Sequence, residues 1–220
     1  MSLVRWLSAA LLLGSALLGA GAAMHPVLPA EAAGQLDVIA SMGHWRAVHL
    51  MMLAGSGLVI TGLWARLLVG RQAPSRVMLG ALGIIALGIA LNALNIAFMA
   101  GAGTLMAEHY RAGDAAIARL FEVTHPIGLM AARFGNFIIA LGALLLGWSE
   151  WQSSGERTAP LLAGLAWVAA AGGLIGALFF SEASRMTLAA VALISGWQLM
   201  VAFLGLRGGR DLAPGGSVKG

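Results

Sequence analysis

The chain has 220 residues, of which 60% are hydrophobic and 10% charged, and its mean hydropathy is +0.88. A water-soluble domain carries roughly 45–50% apolar and 25% charged residues, so a soluble domain and a charge-rich disordered chain are both excluded, and an integral membrane protein is left. The absence of cysteine removes disulfide scaffolds, thiolate metal sites and c-type haem attachment, and 13 Lys+Arg against 9 Asp+Glu form no basic run that would hold nucleic acid.

A bilayer core asks for about 20 apolar residues per helix. Six stretches meet or approach that length: Leu3–Met24, His44–Val69, Val77–Gly101, Pro126–Trp148, Ala159–Phe180 and Met186–Leu206. Each is expected to be helical, because a segment surrounded by lipid must satisfy its backbone internally. The fold class is therefore an all-α integral membrane protein, a six-transmembrane-helix bundle over 1–206 followed by a Gly-rich tail over 207–220. The first stretch has a second reading. Arg5, the apolar run Leu7–Leu18 and the small residues Gly19–Ala23 also describe a secretory signal peptide, whose removal would leave five helices; we expect it to be retained.

The connections differ in character. After Pro29, Leu36, Ile39 and Ala40 recur at helical spacing and predict a short helix on the membrane surface. Gly113-Asp114 predicts the start of a second one, with Asp114 as its cap, Ile117, Leu120, Phe121 and Thr124 on one face, and Arg119 and Glu122 pointing away. The alternate connections, Gly70–Arg76 and Glu150–Thr158, read as plain linkers. Topology follows from the basic residues. With the N-terminus in the cytoplasm, Arg5, Arg66, Arg71, Arg76, Arg157, Arg207, Arg210 and Lys219 share one side, and Arg46, Arg111, Arg119, Arg133 and Arg185 the other. That excess places both termini in the cytoplasm of a bacterial-type inner membrane, and both short helices outside. Small residues at four-residue spacing, Gly128, Ala132, Asn136 and Ala140 in the fourth span and Ala169, Gly173 and Ala177 in the fifth, predict close helix contacts within the bundle or with a membrane-protein partner.

The polar residues are distributed unevenly. All five histidines, His25, His44, His49, His109 and His125, fall at the outer end. By a rise of about 1.5 Å per residue, Asn92 and Asn95 in the third span and Arg133 and Asn136 in the fourth reach similar depths, and each i, i+3 pair can share a helix face. With His49 they predict a polar pocket in the extracytoplasmic half. Arg133 weighs most, since an arginine within a span is costly and finds a partner, a cavity or the headgroups. Its candidate partners are Glu122, Glu182, backbone or Asn carbonyls, or an anionic ligand.

Histidine is the commonest metal ligand and an axial ligand of haem iron. The expectation is that the histidine set binds haem b or a divalent transition metal, with His49 first, then His125 beside Pro126, for electron transfer or metal handling. His44 and His49 stand about 140° apart on a regular helix, which argues against a simple two-ligand motif on one face. No P-loop, G-x-S-x-G or H-E-x-x-H is present, so no catalytic residue is assigned and an enzyme is not the expectation. Two further readings are a non-catalytic accessory or scaffold subunit docking through Gly-rich faces, and a small anion transporter using Arg133.

Overall fold

The computed structural model describes residues 2–69, 74–153, 157–179 and 185–208, the last segment with side chains over 192–207. Those residues form α1 (Leu3–Met24), α2 (Ala32–Ser41), α3 (Trp45–Gly62), α4 (Ala65–Val69), α5 (Arg76–Phe98), a π turn (Met99–Gly103), α6 (Thr104–Arg111), α7 (Ala116–Gln152), α8 (Ala159–Phe179) and α9 (Arg185–Gly208). Five spans are long and apolar enough to cross a membrane: α1, α3 with α4, α5 through α6, α7, and α8. The sixth expected span coincides with α9, a 24-residue helix whose described side chains form a shorter apolar stretch, Ala192–Arg207. Glu182, Arg71 and the tail beyond 208 lie outside the described residues.

The long helices close into a ring in chain order: α1 packs on α3, α3 on α5, α5 on α7, α7 on α8, α8 on α9, and α9 returns to α1. Where no hydrophobic effect drives association, close backbone approach does so, and glycine permits it at two seams. A Cβ on Gly14 would stand 2.8 Å from the Gly55 carbonyl oxygen, which holds α1 to α3. On α7, Gly128, Gly135 and Gly142 recur every seven residues and meet Asn95, Gly88 and Ile85 of α5. The four-residue pattern read from the sequence runs beside this stripe. Its own members contribute elsewhere, as where Gly173 of α8 meets Ala140.

Two departures from the sequence reading concern where helices stop. The third span was expected to end near Gly101, but the chain continues through the π turn into α6, so His109 sits in the last turn of a helix rather than in a loop. A π turn leaves carbonyls off the regular ladder, and here they are satisfied locally. The Trp45 indole Nε1 donates to Met99 O at 3.2 Å, and Thr104 Oγ1 donates to Met99 O at 3.0 Å and Ala100 O at 3.2 Å. The second departure is α7. The N-cap is Ala115 rather than the expected Asp114, which stands one residue before it and accepts from the Ala116 amide at 3.2 Å, after Gly113 turns at φ +101°. The helix then runs unbroken for 37 residues through Pro126, so the expected second surface helix is the outer end of the fourth span. Two short helices meet at this end, α2 and α6, the latter being the outer end of the apolar run that starts with α5; they pack on each other, and Arg111 of α6 donates to Ala40 O at the C-terminal end of α2 at 3.0 Å, where a cation meets the negative end of the helix dipole.

Candidate functional site

At the histidine end, α1 terminates at His25 while α3 begins beside it, and the two elements bring His25, Trp45 and His49 into one cluster. The His25 and His49 ring centres are 5.2 Å apart, and Trp45 lies 4.9 Å from the first and 4.3 Å from the second. The His25 Nδ1 donates to Pro26 O at 2.8 Å and the His49 Nδ1 to Trp45 O at 2.9 Å. A carbonyl can only accept, so both imidazoles, when neutral, carry their proton on Nδ1 and leave the Nε2 lone pair free. Burial pushes the His25 imidazole below its ordinary value, with the hydrogen bond to Pro26 O partly opposing the shift. One turn below His49, Met52 crosses to α1, where its Sδ lies 3.0 Å from the position a Gly21 Cβ would take.

The other three histidines stand apart. His125 is buried on α7 between aromatic rings, 4.6 Å from Phe121 and stacked at 6.1 Å on Phe98. His44 precedes α3 as its N-cap residue and is exposed, as is His109. Among the described residues no group of three or more His, Cys, Asp or Glu side chains is placed to hold a metal ion. The five-histidine set therefore resolves into a pair, an aromatic-packed ring and two surface residues.

Within the ring of helices lies a mostly apolar cavity of about 280 Å³, lined by residues of α1, α3, α5, α7, α8 and α9. Asn92, Asn95 and Asn136 line it; His49 and Arg133 do not. Asn92 Nδ2 donates to Asn136 Oδ1 at 2.8 Å, joining α5 to α7. Arg133 is excluded by helix geometry. Ala132, Asn136, Ala140 and Ala143 of α7 face the cavity, and a residue following Ala132 is turned by about 100°. The Arg133 guanidinium instead donates from Nε to Ala177 O of α8 at 2.7 Å, capping carbonyls at that helix end. A backbone carbonyl, one of the partners weighed from sequence, is found there among the described residues. His49 misses the cavity because its ring is turned up toward Trp45 and His25, while Met52 and Ser56, on the next turns of α3, face it.

Sequence reasoning missed a buried ion pair among the described residues. Arg66 of α4 and Glu150 of α7 form a bidentate pair, Nε to Oε1 at 2.7 Å and Nη2 to Oε2 at 2.6 Å, with side chains 3% and 0% exposed. Ser149 and Ser75 hydrogen-bond beside it at 2.8 Å. The connector read as plain thus begins at a buried carboxylate. Between this pair and the cavity, Leu11, Val59, Leu63, Leu82, Leu146 and Trp197 fill the bundle.

The site thus belongs to an all-helical polytopic membrane protein with buried polar and charged groups at three levels. The chain matches no family model, no curated protein and no solved structure.

Proposed function

We propose that this membrane protein handles a soft transition-metal ion, bound at the histidine end by His25 and His49 with Met52 as the third donor. The observation that carries the reading is the pair of imidazoles whose Nδ1 atoms are both tied to backbone carbonyls. Such an outer hydrogen bond fixes the tautomer and orientation of metal-binding histidines and raises their basicity. The spacing fits. A nitrogen about 2.0–2.1 Å from a metal puts its ring centre about 3.2 Å away, so two rings sharing an ion at a tetrahedral angle stand about 5.2 Å apart. Imidazole and thioether donors without a carboxylate favour Cu(I) over hard cations. Haem is less well served, since no histidine is among the residues that line the cavity. The anion-transport reading loses its selecting cation, because the Arg133 guanidinium is held at the end of α8. In the orientation favoured by the basic residues, the pair faces the extracytoplasmic side.

The test is competition with a Cu(I) chelator on purified protein under reducing conditions. One ion per chain is expected, with affinity falling by at least about tenfold in His25→Ala and His49→Ala, less in Met52→Leu, and not in His44→Ala or His109→Ala. Equal affinity across all five variants would sink the reading.

A further inference from the structure

We propose that the central cavity is a binding site for a neutral, carbonyl-bearing ring compound of the quinone class. Its wall carries four carboxamides, and the oxygens of three of them are bonded or occluded. The Asn136 Oδ1 accepts from Asn92 Nδ2. The Gln198 Oε1 accepts from Ser15 Oγ at 2.8 Å. The Asn95 Oδ1 is buried without a partner, pressed to the backbone of α7 at Gly128, where a Cβ would meet it at 2.5 Å. What Asn136, Gln198 and Asn95 have left to offer the cavity is the amide NH₂. Three helices, α5, α7 and α9, thus present hydrogen-bond donors to one space.

The remainder of the wall is Leu, Ile, Ala, Met and Gly with two hydroxyls, Ser56 and Ser195, and the Ser56 hydroxyl already donates to Met52 O at 3.0 Å. No Arg, Lys, Asp, Glu or His is among the lining residues. Neutral donors in a dry apolar space suit an acceptor that brings no net charge, because an anion there would lose its hydration without a countercharge. A ring carrying carbonyls meets both conditions, with oxygens for the amides and an apolar body for the walls. The size agrees. Ligand pockets begin near about 300 Å³, and this one, at about 280 Å³, takes a substituted six-membered ring with the start of a tail. The wall's amide donors outnumber its open amide acceptors, of which the Asn92 Oδ1 is one, so a quinone, which only accepts, fits better than a quinol, which brings two hydroxyl protons.

The site shares Met52 with the proposed metal site but neither of its imidazoles, and its test needs no metal. Purified full-length protein is titrated in detergent with a benzoquinone bearing a ten-carbon tail, its quinol, and a benzene with the same tail, following tryptophan fluorescence and thermal stability. Saturable binding of the quinone, weaker binding of the quinol and none of the hydrocarbon are expected. Asn95→Leu, Asn136→Leu and Gln198→Met each weaken quinone binding by about tenfold, the effect of one lost hydrogen bond in a dry site. Equal binding of quinone and hydrocarbon, tighter binding of the quinol, or stabilisation by nitrate in place of the quinone would overturn the proposal. The ligand comparison is made on the unaltered chain, so it decides the matter even where a variant fails to fold.

Discussion

Arg66 and Glu150 illustrate how much one buried contact decides. Two ions taken out of water cost several kcal/mol each, and the return comes only while both are present in good geometry. Removing one leaves an uncompensated charge between α4 and α7. Arg66→Ala or Glu150→Ala is expected to destabilise the protein by about 3–5 kcal/mol, and the apolar double variant Arg66→Met with Glu150→Leu by much less. Thermal melts in detergent check this, and a double variant no better than the singles would show that the pair is not the dominant contact of either residue. His25 carries a pH prediction. Its unfolded imidazole titrates near the ordinary 6.5 and its folded one lower, so as pH falls through that window the unfolded chain takes up a proton that the native state refuses. The contribution of His25 to stability is therefore full above 6.5 and declines as pH drops toward the folded value. Over the same window the folded ring stays neutral, so Cu(I) binding is expected to persist somewhat below pH 6.5 and to fail at lower pH. Chelator competition across about pH 5–8 reads this directly, and loss of binding already above 6.5 would contradict it.

Among the elements, α7 organises the bundle. It supplies the aromatic-packed His125, the cavity face through Ala132 and Asn136, and the buried Glu150. Its glycine stripe sets how closely α5 approaches. A Cβ on Gly135 would lie 2.6 Å from the Gly88 carbonyl oxygen, a backbone atom that cannot swing away, while one on Gly80 of the same α5 meets nothing within 4 Å. Gly135→Ala is expected to cost about 1–3 kcal/mol by overpacking, and Gly80→Ala to be neutral or stabilising by up to about 1 kcal/mol through helix propensity. Unfolding in mixed micelles compares the two, and equal effects would mean that the seam is looser than described. The same helix shows why boundaries resist a reading from sequence. Pro126 looked like a start signal, since proline favours a first helical turn. It lies instead inside a helix, where proline removes one donor without dictating that the chain turn away.

For the molecule as a whole, the closed ring makes α1 a structural member, with Gly14 and Gly21 against α3 and Leu18 and Ala22 on the cavity wall. The intact mass of membrane-extracted protein is expected to include residues 1–24, and a mature form starting near Met24 would remove this wall. Reporter fusions test the orientation. A periplasm-dependent phosphatase fused after Gly113 is expected to be active and one fused after Arg207 inactive, and the reverse pattern would turn the histidine end toward the cytoplasm.

Much of this was legible in the chain. Hydropathy over about 20 residues is a local sum, and the bilayer enforces it on each segment separately. Five of the expected spans, the all-helical class and the short helix at Leu36 and Ile39 therefore follow from sequence alone. So does the joint depth of Asn92, Asn95 and Asn136, because helical rise is nearly constant. Which way a side chain points around its helix, and what it meets there, is set by neighbours far away in sequence. Arg66 and Glu150 are 84 residues apart, and nothing local to either announces the other. Only the packed ring decided that Arg133 serves the end of α8, that His25 joins His49 while His125 packs among aromatics, and that carboxamides of three helices line one cavity. Depth is a property of a single helix. Direction belongs to the bundle.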